Sequence, residues 1–499
     1  MAESSMNRRR FISTASAAAA GLTLASKRAM GGSSAVPPSD QIRIGYIGTG
    51  TQGIRTLMRF LEHPEIHVAA VCDCNRDSQD YIEWSKHEIR DRIRRFLNKP
   101  NWGAGNTGCR AGLSVGWEIV ESYYIMNNKK RKESQCAAYE DYRIMLDKED
   151  LDGVVIMTPE HTHTVIALEA MKHGRHVIMH KPLSNVLSEA RLVAETAEKT
   201  GLATHMFCAA DQQTTPMIKE WIDADAIGPV QEIQVWSNRP VWPQDLLVPE
   251  EQPSVPEGFN WDLWLGPAKY RPYHPLYTHT MFRSWHDFGT GTLGDMGHYC
   301  FYQVWNILNP GTPVQVEGSR SHIYQVVDQV SKQIENTVSY PNASAVRWEF
   351  AGKNPLVIQW CDGGIKPPKP PELEMDGRDF PKEGIIYIGE KGKIFAEFNG
   401  GSPRIIPESN MRAFQRPPKT LPRPKDEIDQ WIDAIRGVKP SGACFQNVLS
   451  FSETLLLGTI AQRVPGILQW DSSSFRFKNS SEANDLLYRQ YREGWDLFS

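Results

Sequence analysis

From residue 41 the chain alternates short apolar runs with stretches whose apolar residues recur at helical spacing. "IRIGYIG" (42–48) is a nearly unbroken apolar run, as expected of a strand covered on both faces. "IRTLMRFLEH" (54–63) then has helical spacing, and "HVAAVCD" (67–73) is a second strand ending in an acid. The same strand–helix rhythm returns in "LDGVVIMTP" (151–159) with "HTVIALEAMKHG" (163–174), and in "RHVIMHKP" (175–182) with "SEARLVAETAEKTG" (188–201). This alternation predicts a parallel sheet with crossover helices. Residues 86–140, Gly/Asn-rich in "NWGAGNTGCRAG", interrupt it and read as an insertion.

After about residue 210 the period changes. "VQEIQVWS", "ASAVRWEFAG", "LVIQWCDGG" and "EGIIYIGEKGKIFAEF" alternate apolar and polar positions, which predicts an antiparallel sheet with one covered face. Two late helices follow, in "KDEIDQWIDAIRG" and "FSETLLLGTIAQR", and the last segment, "SSEANDLLYRQYREGW", is amphipathic. The expected class is therefore α/β, with a parallel-sheet domain at 41–182 and a second α/β domain at 183–499.

Composition narrows this picture. A chain of 499 residues exceeds one compact core, so two domains are the default. A formal net charge of −4 without a dense basic face argues against nucleic acid. The cluster Lys129–Lys132 reads as a solvated loop. Eight cysteines over this length form no dense disulfide framework. Residues 1–30 have a different character: Arg8, Arg9 and Arg10, then Phe11 and an Ala-rich stretch, have the layout of a twin-arginine signal peptide, with a Ser/Pro linker at 31–40. Export to the periplasm by the twin-arginine machinery is the expectation. The apolar stretch is too short for a membrane span, so the mature chain is expected to have none.

The candidate chemistry sits at strand ends. Gly48-x-Gly50-x-x-Gly53 lies between a strand and a helix: Gly48 permits the tight turn, Gly50 lets backbone approach a pyrophosphate, and Gly53 lets helix and strand pack closely. Asp73, twenty residues after Gly53, ends the second strand, where a carboxylate accepts ribose hydroxyls and disfavours a 2′-phosphate; NAD is expected over NADP. Thr49 and Gln52 in the turn, with Thr158, Pro159, His163 and Lys181 from the next strand ends, complete the expected cofactor contacts. Lys181, placed before Pro182 at the edge of a parallel sheet, is a candidate proton carrier with a lowered pKa. In "WHDFGTGTLGDMGHYC" (285–300), Asp295 and Tyr299 are four apart and share a helix face, so the carboxylate can polarise the phenol. Arg283, Trp285, His286, His180 and His298 are candidate sugar contacts. The pair His161 and His163 lacks a third ligand in sequence reach, so no metal site is expected.

These motifs together resemble the Gfo/Idh/MocA family of oxidoreductases across residues 41–499, apart from the insertion. The resemblance implies an N-terminal Rossmann domain and a C-terminal domain with an open, mainly antiparallel sheet. It implies a substrate site made by Lys181, Asp295 and Tyr299. His180 stands where the family has glutamate, and Tyr299 where histidine is commoner, which resembles the glucose–fructose oxidoreductase branch. The implied activity is NAD(H)-dependent interconversion of a secondary hydroxyl and ketone on a sugar, cyclitol or glycoside, with the nucleotide retained and recycled. A glycosidase working through transient oxidation at C3 and a non-catalytic sugar-binding protein are the alternatives. A homo-oligomer is implied by the family alone.

Overall fold

The computed structural model describes residues 38–106, 108–127, 136–208 and 213–497. The expected leader, most of the linker and the cluster Lys129–Lys132 lie outside the described residues.

Strand β1 (Ile42–Ile47) is the centre of a six-stranded sheet. On one side it pairs in parallel with β2 (Ile66–Cys72), and β2 pairs with β5 (Ala137–Tyr139). On the other side come β6 (Gly153–Ile156), β7 (His176–His180) and β8 (Thr204–Phe207), all parallel. The order β5-β2-β1-β6-β7-β8 reverses direction at β1/β6, and a crevice opens there at the carboxyl ends of the strands. Every residue of β6 is buried, which explains its unbroken apolar sequence.

Two expectations change. The sheet continues past residue 182 through the helix Leu187–Thr200 to β8, so the nucleotide lobe extends to about residue 207. The interruption is also shorter than 86–140. Added material comprises β3 (Ser78–Tyr81), the helix Glu88–Phe96 and β4 (Cys109–Ala111), with β3 and β4 forming their own two-stranded sheet. Leu113–Asn127 is the crossover helix, and β5 belongs to the main sheet. Three-residue strands carry too little alternation to be seen in sequence.

The second lobe holds a nine-stranded sheet, antiparallel except where Leu356–Cys361 runs parallel to Val230–Trp236. In Ser344–Phe350 every second residue is buried, as the alternation required. The helices Gly291–Leu308 and Phe445–Ala461 cover that inner face, and the second of them packs on Leu187–Thr200 of the nucleotide lobe. One hydrophobic core runs continuously between the lobes. The eight cysteines are free thiols. Among the described residues no helix is long and apolar enough to cross a membrane.

Candidate active site between the lobes

A cavity of about 920 Å³ lies along the carboxyl edge of the parallel sheet, with the second lobe as its opposite wall. The glycine turn lines its floor. Gly48 has φ +95°, a left-handed conformation open to glycine, and a Cβ there would strike the Met157 backbone. A Cβ on Gly53 would lie 2.1 Å from the Gly48 carbonyl oxygen, so turn and helix touch as the sequence required. Gly53→Ala should therefore force the turn open, costing about 1–3 kcal/mol of stability and at least about tenfold in NAD affinity. Nucleotide titration and thermal unfolding of the same preparation check this.

Asp73 also lines the cavity. Its Oδ2 accepts the Thr49 N–H at 2.7 Å and the Thr49 hydroxyl at 3.1 Å, and its Oδ1 accepts the Asn75 N–H at 2.9 Å. Burial raises its pKa against the pull of these hydrogen bonds. Thr49 is fully buried and holds Asp73 rather than facing the cavity. Gly50, Gln52, Thr158 and Pro159 line the cavity. The helix Thr51–Glu62 begins at this turn, so its N-terminal dipole faces an anion placed there. Glycines that admit no Cβ, a helix N-terminus and an oriented acid fit a dinucleotide.

The residues expected to react converge at the β7 end of the same cavity. Lys181 is 3% exposed, and its Nζ donates to the Asp295 carbonyl oxygen at 2.5 Å and to the Asp295 carboxylate. Arg283 Nε donates to the same carboxylate oxygen at 3.1 Å. The Tyr299 ring centroid is 5.1 Å from Lys181 Nζ. Asp295 and Tyr299 do share a face of the helix Gly291–Leu308, but the carboxylate takes its hydrogen bonds from the two cations, not from the phenol. Burial alone would raise Asp295 and lower Lys181; the mutual attraction wins for both. The Lys181 and Arg283 charges hold Asp295 well below the usual carboxylate range, and Asp295 holds Lys181 above the lysine range. This corrects the expected lowered pKa: Lys181 is a fixed ammonium.

His180 lines the cavity and is kept neutral by burial and by the neighbouring Lys181 charge. His163 braces the site from behind, with its two ring nitrogens at 2.7 Å and 2.9 Å from the carbonyl oxygens of Pro182 and Thr158. Three expected sugar contacts lie elsewhere. Trp285 is 1% exposed in an aromatic cluster with Tyr277 and Phe288, and its Nε1 donates to the Leu276 carbonyl. His286 packs edge-on against Tyr340, and His298 against Phe451. Adjacent helix residues are about 100° apart, so His298 points away from the face that carries Tyr299.

Other residues enter the cavity without having been singled out. Glu160 is 2% exposed, accepts the Thr290 hydroxyl at 2.6 Å and has its pKa pushed up to about 7, chiefly by burial and then by Asp295. Trp242, under the Arg283 guanidinium, pairs with Trp84 of the added segment at 6.1 Å between ring centroids. Tyr81, from β3, lies over Gly50 and packs on His279 at 3.8 Å between centroids, so the added segment roofs the glycine turn. Arg239, Glu383 and Asn399 supply polar groups from the second lobe. Among the described residues no group of three or more His, Cys, Asp or Glu is placed to hold a metal ion.

Comparison with known proteins agrees with this geometry. Residues 113–207 match the oxidoreductase family's NAD-binding Rossmann fold, and 235–353 with 370–497 match its C-terminal alpha/beta domain. A glycosyl hydrolase family 109 protein of Saccharopolyspora erythraea is 26% identical over 208 residues, 39% of this chain and 37% of that protein. An alpha-N-acetylgalactosaminidase of Bacteroides fragilis is 26% identical over 168 residues, 33% of this chain and 29% of that protein. The match thus spans 29–37% of these relatives' length. The WlbA dehydrogenase of Chromobacterium violaceum, solved with NADH and UDP-GlcNAcA, shares the fold at a TM-score of 0.52 and 12% identity, over 87% of this chain and 97% of that one. With both of its domains matched and a glycine turn, an acid and a Lys–Asp pair along one cavity, the chain belongs to the Gfo/Idh/MocA family of NAD-binding oxidoreductases.

Proposed function

We propose that the protein oxidises and re-reduces a secondary hydroxyl of a sugar, cyclitol or glycoside, with NAD retained between half-reactions. One observation carries this reading: the buried Lys181–Asp295–Arg283 cluster and Tyr299 share a cavity with the glycine turn and Asp73. NAD, when bound, supplies acceptance and return of a hydride. The chain's own residues handle the proton and the oxygen. Lys181, locked as an ammonium, donates to the substrate oxygen and stabilises the negative charge that grows there on deprotonation. Asp295 fixes the position of Lys181 and keeps it charged. Tyr299, beside the ammonium, is a second hydrogen-bond partner for that oxygen. Since Lys181 holds its proton, Glu160, whose proton affinity lies near neutrality, is the group suited to accept the hydroxyl proton. The leader layout at residues 1–30 supports work in the periplasm, where a retained nucleotide removes the need for a free pool.

A second reading is favoured by Glu160 and by the names of the relatives. A sugar oxidised at C3 has an acidified neighbouring C–H and can expel its aglycone; hydration and re-reduction then complete a hydrolysis with no net redox change. A buried carboxyl that is protonated near neutrality suits protonation of the leaving group. The test is to add free sugars and aryl glycosides to the purified protein while following reduced-nicotinamide absorbance and aglycone release together. Absorbance that changes with free sugars and no aglycone release supports the oxidoreductase. Catalytic aglycone release at constant absorbance identifies the glycosidase.

A further inference from the structure

We infer that the C-terminal tail is a strap across the adenosine end of the cavity, with Trp495 as the wall against the adenine base, and that it holds NAD as a non-exchanging group. The inference rests on the NAD-dependent reading above and supplies a physical basis for retention.

The two ends of the cavity are set by the sheet. Asp73, at the end of β2, is placed for the adenosine ribose, so the base lies beyond it, toward the ends of β2 and β5. The reacting end is at β7, on the other side of β1. Trp495 lines the cavity together with Tyr142, Ile166 and Leu263. Its ring lies 5.1 Å from the Arg143 guanidinium carbon, in the helix that follows β5. Trp495 therefore stands at the end away from Lys181.

Two layers of the second lobe cross this end. In the inner layer, Arg76 N–H donates to the Gly258 carbonyl at 2.8 Å, Asn260 N–H to the Cys74 carbonyl at 2.8 Å, and Asn260 Nδ2 to Glu140 at 2.6 Å. This stitches residues 258–260 onto the ends of β2 and β5. The tail is the outer layer. Arg492 donates from Nη2 to the carbonyl oxygens of Asp262 at 2.8 Å and Gly266 at 2.9 Å, and pairs with the Asp262 carboxylate. Upstream, Arg489 Nε donates to the fully buried Glu189 at 2.8 Å, and the Tyr491 hydroxyl donates to the same oxygen at 3.0 Å. A tail held by a buried arginine–carboxylate pair at one point and three bonds from one guanidinium at another is fixed on both lobes. A nucleotide beneath it leaves only when these contacts open.

The experiment uses the full chain loaded with NAD. Dissociation is followed by chase with unlabelled NAD and by nucleotide content after prolonged dialysis, for wild type, Trp495→Ala and Trp495→Phe. The wild type should keep its NAD. Trp495→Ala should release it between about 5-fold and 150-fold faster, the range for loss of one aromatic–base stack, and Trp495→Phe should restore most of the retention. Equal release from wild type and Trp495→Ala would overturn the strap. A wild type that binds NAD but exchanges it within seconds would overturn the strap and the retention of NAD, and leave NAD-dependent oxidoreduction standing; one that takes up no NAD would overturn all three. If Trp495→Ala does not fold, tryptic cleavage at Arg489 and Arg492 of the nucleotide-free wild type decides: protection by added NAD supports the strap, and an unchanged rate rejects it.

Discussion

Lys181→Met should lower kcat/KM by about 10²- to 10³-fold, the range for removing one donor to a developing oxyanion, and still give a folded protein. Asp295→Ala should do more damage. The cluster has two cations and one anion within a buried space: Lys181 and Arg283 both donate to Asp295. With Lys181 removed, Asp295 still faces Arg283, and charge remains paired. With Asp295 removed, buried Lys181 and partly buried Arg283 share one site with Glu160 as the remaining carboxyl beside them, and breaking such a pair costs about 3–5 kcal/mol. Steady-state kinetics and thermal unfolding of both variants check the asymmetry. Equal destabilisation would mean that Arg283 does not compensate the aspartate.

Glu160→Gln should lower kcat by about 10²-fold or more and remove the limb of the pH–rate profile near pH 7. The same carboxyl predicts a stability effect of definite sign. The folded chain holds the Glu160 proton more tightly than the unfolded chain does, so its contribution is most favourable below the usual glutamate range and declines as pH rises toward 7. Asp295 has the opposite sign: its contribution is present above the usual aspartate range and is lost on acidification. Denaturant midpoints across pH 4–8 should therefore rise more steeply with pH in Glu160→Gln than in wild type. Parallel curves would show that Glu160 titrates as an ordinary surface carboxyl.

The parts of this site that local sequence revealed are those that local geometry builds. A glycine turn between strand and helix, an acid at the next strand end, a lysine before Pro182, and a four-residue spacing from Asp295 to Tyr299 each declare themselves within a few positions. Glu160 follows Pro159 directly in sequence, yet its meaning comes from Thr290, 130 residues away, and from the neighbouring charges. Trp285 and His286 were the converse case. Polar and aromatic residues beside glycines looked like a lining, but which side of that loop faces the cavity is set by packing against Tyr277 and Tyr340. The C-terminal segment was legible as amphipathic only. Its helix stops after Ser481–Asp485, and the course beyond is fixed by Glu189 and Asp262.

The helix Glu427–Ile435 lies far along the chain, yet Ile428, Trp431 and Ile432 complete the core on one face of the nucleotide lobe. Trp431 meets Phe60 edge-on at 6.5 Å between centroids, and its ring fills the space beside Gly153 of β6. The nucleotide lobe is therefore not a module that could be cut out or exchanged between relatives. A ribosome that has delivered only the first 207 residues has made a sheet with one face partly covered by Thr51–Glu62 and Leu113–Asn127 and still open beside Gly153. That face is sealed only when more than two hundred further residues have emerged, so neither lobe is finished before the helix Glu427–Ile435 has left the ribosome.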